Sequence, residues 1–245
     1  MKRSVAEAHF AGGDPIDLPR TIAESIYQRL RQDILWGRFV PGSPLRSDVL
    51  RARYDVGISP LREALTRLAS ERLVTSVGQR GFRVAPLTAY DVEDTLTARL
   101  VIEKQALTQS IERGDIAWET AVVAAFHALS RNPVPKEPGP ATEGWAICHR
   151  QFHMALLSAC GSRWLMELAG QLFDQAERHR MLRVKYGPQQ KLKRDTMREH
   201  KQIFDGALSR DVKATIKALQ KHYEATAKQV VAVMARVPRL VHKQG

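Results

Sequence analysis

The sequence predicts a mainly α-helical chain in two parts: a small N-terminal helical unit closed by a β-hairpin, and a larger C-terminal all-α bundle. Three observations predict it. Apolar residues recur at helical spacing along most of the chain, the period changes to alternation just after Leu73, and 245 residues exceed what one small core needs.

Residues 1–18 hold Ala11-Gly12-Gly13-Asp14-Pro15 without sustained periodicity and are read as a flexible arm. A first helix begins at Thr21, placed as N-cap, with Glu24 completing a capping box and Ile22, Ile26, Leu30, Ile34 and Leu35 as its buried face. Gly37 ends it, and residues 39–45 form a turn. Ser47 is expected to cap a second helix to about Tyr54, with Val49 and Leu50 inward and Arg46, Arg51 and Arg53 outward. A tight turn over 55–58 leads to a third helix. Ser59 is its expected cap and Pro60 its first residue; Leu61, Ala64, Leu65, Leu68 and Leu73 line one face, and Arg62, Glu63, Thr66 and Arg67 the other. Val74 and Ser76, then Phe82 and Val84, bracket Gly78-Gln79-Arg80-Gly81, a hairpin with a basic tip. A capped basic helix followed by a basic hairpin is the plan of a winged helix-turn-helix, here over residues 19–86.

Duplex DNA explains that plan. A helix fits the major groove, its first residues reach base edges, and arginines at its ends and on the wing neutralise phosphates. The candidate contacts are Ser59, Pro60 and Arg62 at the third helix, Arg46, Ser47 and Arg51 at the second, and Gln79 and Arg80 on the wing. A net charge of +12 favours a polyanionic partner but does not by itself choose DNA over an anionic membrane surface. No apolar run reaches membrane-spanning length and the N-terminus lacks a signal-peptide core, so a cytoplasmic location is expected. Cys148 and Cys160 provide neither a disulfide framework nor a paired-cysteine zinc site, as suits a reducing compartment.

After a linker at 87–88, residues 89–237 read as a bundle of about six helices: 89–113, 115–130, 142–160, 162–186, 188–209 and 211–235, with 238–245 as a tail. His149 and His153 lie four apart, one turn from each other on one helix face, the spacing by which a helix offers two imidazoles to one metal. His200 and His222 sit singly on later helices. Four unrelated surface histidines are the plain alternative. Against it, Ile147, Phe152, Leu156, Leu157, Ile203 and Phe204 place these turns on apolar sides, where imidazoles need a bond or a metal. Arg178, Arg180 and Arg183 read mostly as a solvated basic face.

Ile34, Gly37, Pro41-Gly42, Leu45, Leu50, Val56, Pro60-Leu61-Arg62-Glu63-Ala64-Leu65, Leu68, Arg72-Leu73-Val74 and Gly81-Phe82-Arg83-Val84 keep a fixed spacing. In this the segment from Thr21 to Pro86 resembles the N-terminal domain of GntR-family bacterial transcription regulators. Ile58 departs from the pattern, since many members carry Arg there, which implies a different operator. The C-terminal half resembles the FCD ligand-binding domain of the FadR branch, through His149, Phe152-His153, Glu199-His200, Ile203 and His222. The resemblance implies a divalent metal held by His149, His153, His200 and His222. Most relatives have Asp where His149 stands, and an all-nitrogen set favours zinc or nickel. It equally implies that Arg99, with Glu103 one turn on, faces the cavity and grips an acidic effector; the imidazoles could also bind that acid directly. Taken without the resemblance, Arg99-Glu103 is as readily a surface salt bridge.

Within the branch, Ala159-Cys160-Gly161-Ser162, Leu172-Phe173-Asp174 and Glu177-Arg178-His179-Arg180 are similar to CsiR-type regulators of glutarate and lysine catabolism, which also have His at the His149 position. That implies a small dicarboxylate or hydroxy acid as effector. The expected function is then a regulator, more commonly a repressor than an activator, bound as a homodimer to an inverted-repeat operator and controlled by that carboxylic acid. A competing class, a helical metalloenzyme using the four histidines, is weaker: the sequence has no His-Glu-(x)2-His run and no evident general base beside an open metal position. A membrane-surface protein lacks the required amphipathic basic helix.

Overall fold

The computed structural model describes residues 21–78, 81–134, 139–186 and 194–236. The expected arm, the wing-tip residues Gln79 and Arg80 and the C-terminal tail lie outside them.

The N-terminal head comprises α1 (Ile22–Leu35), β1 (Pro44–Leu45), α2 (Ser47–Tyr54), α3 (Ile58–Ser70), β2 (Val74–Ser76) and β3 (Phe82–Val84). Its core is a cluster of leucines, with Leu30, Leu50, Leu61, Leu65, Leu68 and Leu73 fully buried. The hairpin forms as expected, with Val74 opposite Val84 and Ser76 opposite Phe82. Pro44-Leu45, expected in a turn, instead pairs with Arg83 and Phe82 and gives the sheet its order β1-β3-β2.

Several local expectations are corrected. The α1 cap forms, the Thr21 hydroxyl accepting from the Glu24 N–H at 3.1 Å, but Glu24's carboxylate turns to Gln28 and Arg67, so the capping box is half made. Ile22, placed on the buried face, is exposed because it precedes the first turn that packs. Ser47 is the first residue of α2 rather than its cap, which is Arg46, and Val49 points to solvent. Ser59 does not cap α3 either. Gly57 occupies that position, making Ser59 and Pro60 the second and third helical residues. Proline is tolerated there because N–H groups of the first turn have no intrahelical acceptor. The helix stops at Ser70, and Arg72 at φ 58° turns the chain so that Leu73 returns to the core.

The C-terminal bundle consists of α4 (Ala89–Arg113), α5 (Ile116–Arg131), α6 (Pro140–Leu157), α7 (Arg163–Tyr186), α8 (Thr196–Leu208) and α9 (Val212–Arg236). A capping box between Thr88 and Asp91 starts α4. Of the helix expected over 188–209, α8 begins at Thr196, where Asp195 caps it by accepting from the Arg198 N–H, and residues 187–193 lie outside the described ones. Phe152, Leu107, Ile111 and Leu129 are fully buried in the main core. No helix among the described residues is long and apolar enough to cross a membrane.

Helix α7 ties the two parts together. Asp174 receives Arg31 of α1 at 2.5 Å, Gln175 donates to the Glu71 carbonyl at 2.8 Å, and Arg178 donates to the Ala85 carbonyl at 2.7 Å. Leu87 is buried with Val92, Leu182, Val230 and Met234, so the residues entering α4 are packed onto α7 and α9.

Candidate functional site

Three helices bring four histidines together: α6 supplies His149 and His153, α8 His200 and α9 His222. All are buried, and one ring nitrogen of each lies within 4.8 Å of those of the other three. Scattered surface histidines are thereby ruled out. Their outer nitrogens are partly engaged: His222 Nδ1 lies 2.7 Å from Glu199, and His153 Nδ1 3.1 Å from the Tyr223 hydroxyl. Among the described residues His149 Nδ1, His153 Nε2 and both nitrogens of His200 have no hydrogen-bond partner. A buried polar atom left so is costly unless a ligand completes it.

Electrostatics keep the cluster uncharged. Burial, then the mutual proximity of the imidazoles and the nearby arginines, pushes His149, His153 and His200 well below the usual histidine range. Burial likewise lowers His222 to about 4 despite the Glu199 hydrogen bond. Neutral imidazole is the ligating form, and four such nitrogens converge closely enough to hold a metal ion. The residues present therefore fit a metal. Burial opposes ionisation of Glu199 too, but its bonds from His222 and Arg194 bring it down to about 2, a carboxylate orienting His222 from behind.

Beside the cluster lies a cavity of about 50 Å³, reached by Arg99, His149, Phe173, Glu177, Arg180, His222 and Tyr223. The structure departs from the surface salt bridge as a reading of Arg99. The side chain faces the cavity, and its Nε donates to Glu103 at 2.5 Å, but the pair is buried rather than on the surface. Its guanidinium carbon stands 3.8 Å from the Tyr223 ring centre, and the Tyr223 hydroxyl donates to Glu103 at 2.5 Å.

The reading of Arg178, Arg180 and Arg183 as a solvated face is overturned. Arg178 and Arg180 are buried and Arg183 is half-buried. Arg180 stacks over Trp145 at 3.9 Å and pairs with Glu177, whose Oε2 lies 3.8 Å from His149 Nδ1. Sequence reasoning missed Glu177, Trp145 and Tyr223. The available signal was the i, i+3 spacing of Glu177 and Arg180 on a turn that also carries Phe173 and Ala176.

In the head, Arg46, Ser47, Arg51, Ser59 and Arg62 are exposed and Pro60 is half-buried. Arg31, Arg38, Arg53 and Arg67 are tied up in ion pairs, whereas among the described residues Arg46, Arg51 and Arg62 form none. Gln79 and Arg80 fall outside the described residues.

Two family models match: "Bacterial regulatory proteins, gntR family" over residues 22–84, and "FCD domain" over 94–225. The HTH-type transcriptional regulator BphR of Paraburkholderia xenovorans LB400 is 36% identical over 221 residues, covering 89% of both chains. The chain belongs to the GntR family. As a GntR-family protein with an FCD domain it is a DNA-binding transcriptional regulator and not an enzyme. Another relative, the HTH-type transcriptional repressor GlaR of Escherichia coli K12, is 34% identical over 80% of this chain and 90% of its own. Solved structures share the fold: E. coli McbR/YncC has a TM-score of 0.70 at 17% identity, covering 89% of this chain and 99% of its own. A GntR regulator from Rhodococcus sp. RHA1 has 0.67 at 23% identity, covering 86% and 97%.

Proposed function

We propose that this GntR-family regulator is a repressor whose operator binding is controlled by a small organic acid, a dicarboxylate or hydroxy acid, held beside a divalent metal on His149, His153, His200 and His222. The observation that carries the reading is the buried set of four neutral imidazoles with unpartnered nitrogens, opening onto a cavity that also holds Arg99 and Arg180. A divalent ion, zinc or nickel, would supply a Lewis-acidic centre for a carboxylate oxygen. Arg99 would steady the acid, since a guanidinium can grip a carboxylate with two donors. The relative named as a repressor supports the sign, and the guanidiniums of Arg99 and Arg180 lining the cavity support an acidic effector.

In the head, Ser59, Pro60 and Arg62 would approach bases or backbone at the start of α3. Arg46, Ser47 and Arg51 would hold phosphates, and Gln79 and Arg80 would serve on the wing. A homodimer would set two such helices in successive major-groove segments of an inverted repeat. The free guanidinium of Arg62 gives the test. Arg62→Ala should abolish specific gel-shift binding to an operator selected from random duplexes, with an unchanged circular dichroism melt; unaltered affinity refutes its role.

A further inference from the structure

Arg180 lines the cavity and keeps a buried donor without a partner among the described residues. Its Nε and Nη2 engage Glu177, but Nη1 is buried and has no partner among the described residues. Stacking on Trp145 fixes the plane of the guanidinium, so this donor is presented in a set direction rather than left to wander. Glu177 is an uneasy partner. Its Oε2, which accepts from Arg180 Nε, also stands 3.8 Å from His149 Nδ1. It therefore has a second polar contact to move toward.

The charge count points the same way. Arg99 is balanced by Glu103, and Arg180 by Glu177; the four imidazoles are neutral. Half-buried Arg183, one turn beyond Arg180, has its Nε buried and unpartnered, and only adds positive potential. A divalent ion would thus leave the enclosure with a double positive charge that a monoanion offsets only by half, and uncompensated buried charge is expensive.

Building on the effector reading above, we propose that Arg180 is a specificity-determining residue: masked by Glu177 in the free protein, it receives the second carboxylate of a short-chain dicarboxylate whose first carboxylate lies at the Arg99 and histidine end. Arg99 and Arg180 line the same cavity, and Glu177, on leaving Arg180, would swing toward His149. No bond is made or broken. One carboxylate replaces another on a fixed guanidinium.

The test is titration calorimetry on the full-length, zinc-loaded protein with matched acids: glutarate against valerate, and succinate against butyrate. Wild type should bind at least one diacid tenfold or more tighter than its monoacid. Arg180→Met should bring that ratio to about one while zinc content stays as in wild type, and Glu177→Gln, which removes the mask's charge, should tighten diacid binding severalfold. The second variant decides the matter if Arg180→Met does not fold, because unmasking Arg180 should tighten the diacid more than its monoacid, whereas loss of the Glu177 charge alone would favour both. Equal binding of diacid and monoacid by wild type, a preserved ratio in Arg180→Met, or weaker diacid binding by Glu177→Gln overturns the proposal. If wild type binds these acids and leaves its operator without preferring two carboxylates, only this inference falls; if it binds no carboxylate, the effector reading falls with it.

Discussion

His153 shows what burial demands of a single side chain in this protein. Its Nδ1 meets the Tyr223 hydroxyl and its Nε2 has no partner among the described residues, at 1% exposure. Removing one of four ligands should lower zinc affinity at least tenfold, and since a metal that binds only the folded chain stabilises it, His153→Ala should also lose the zinc-dependent rise in melting temperature. Unchanged zinc stoichiometry by mass spectrometry in His153→Ala would count against the site. A different histidine sets a pH limit. His179 is fully buried, and burial, followed by Arg178 and Arg99, lowers its pKa to about 3. Its folded-state pKa lies below the unfolded value near 6.5, so the unfolded chain binds more protons between the two. The stability it contributes is intact above about pH 6.5 and is lost as pH falls toward 3, by about 1.4 kcal/mol per pH unit. In chelator the four cluster histidines add to the slope of stability against pH from chemical denaturation, so the share of His179 is read as the decrease in slope in His179→Gln; parallel slopes would place the proton uptake elsewhere.

Among the elements, α7 joins the two functions because successive faces of one helix look in different directions. Phe173, Ala176, Glu177 and Arg180 turn to the cavity, while Asp174, Gln175 and Arg178 hold the head. Asp174 also accepts from Arg150, the residue after His149, so a carboxylate at 4% exposure is shared between the histidine-bearing helix and α1. Asp174→Asn should cost about 1–3 kcal/mol of stability, the range for a hydrogen-bonded charge. It should also weaken the effect of acid on DNA affinity, leaving acid affinity itself within about twofold. Full coupling in this variant would show that the head is governed by another contact. At this scale the sequence was readable where periodicity and spacing carried the signal, as in the leucine face of α3, the β2-β3 hairpin and the i, i+4 pair on α6. It misled at the starts of α2 and α3, where Ser47 and Ser59 look like caps, because the turn conformations that place Arg46 and Gly57 there come from tertiary packing. Arg180 was misjudged for a related reason: charge alone suggests solvent, the i, i+3 spacing offers Glu177, and only the fold supplies Trp145.

For the molecule as a whole, two cores, one under the head and one in the bundle, are joined by polar contacts along α7 and by the small cluster around Leu87. The net charge of +12 gives the assembly a sequence-independent pull on DNA. Binding to random duplex should therefore weaken linearly in log–log terms as salt rises, and Arg46→Ala or Arg51→Ala should each reduce the slope by about 1. That convergence of His149, His153, His200 and His222 could be anticipated from sequence only through family resemblance, since residues 73 positions apart reveal nothing of their proximity by periodicity. The central claim is that acid bound at the imidazole cluster governs the grip of the head on DNA. The most direct measurement is operator affinity of the zinc-loaded protein with and without saturating glutarate or succinate, in wild type and in His153→Ala. The account predicts at least a tenfold loss of affinity with one of these acids in wild type, about 1.4 kcal/mol of coupling, and little or none in the variant. An equal response in the two proteins, or no response in wild type, would contradict it.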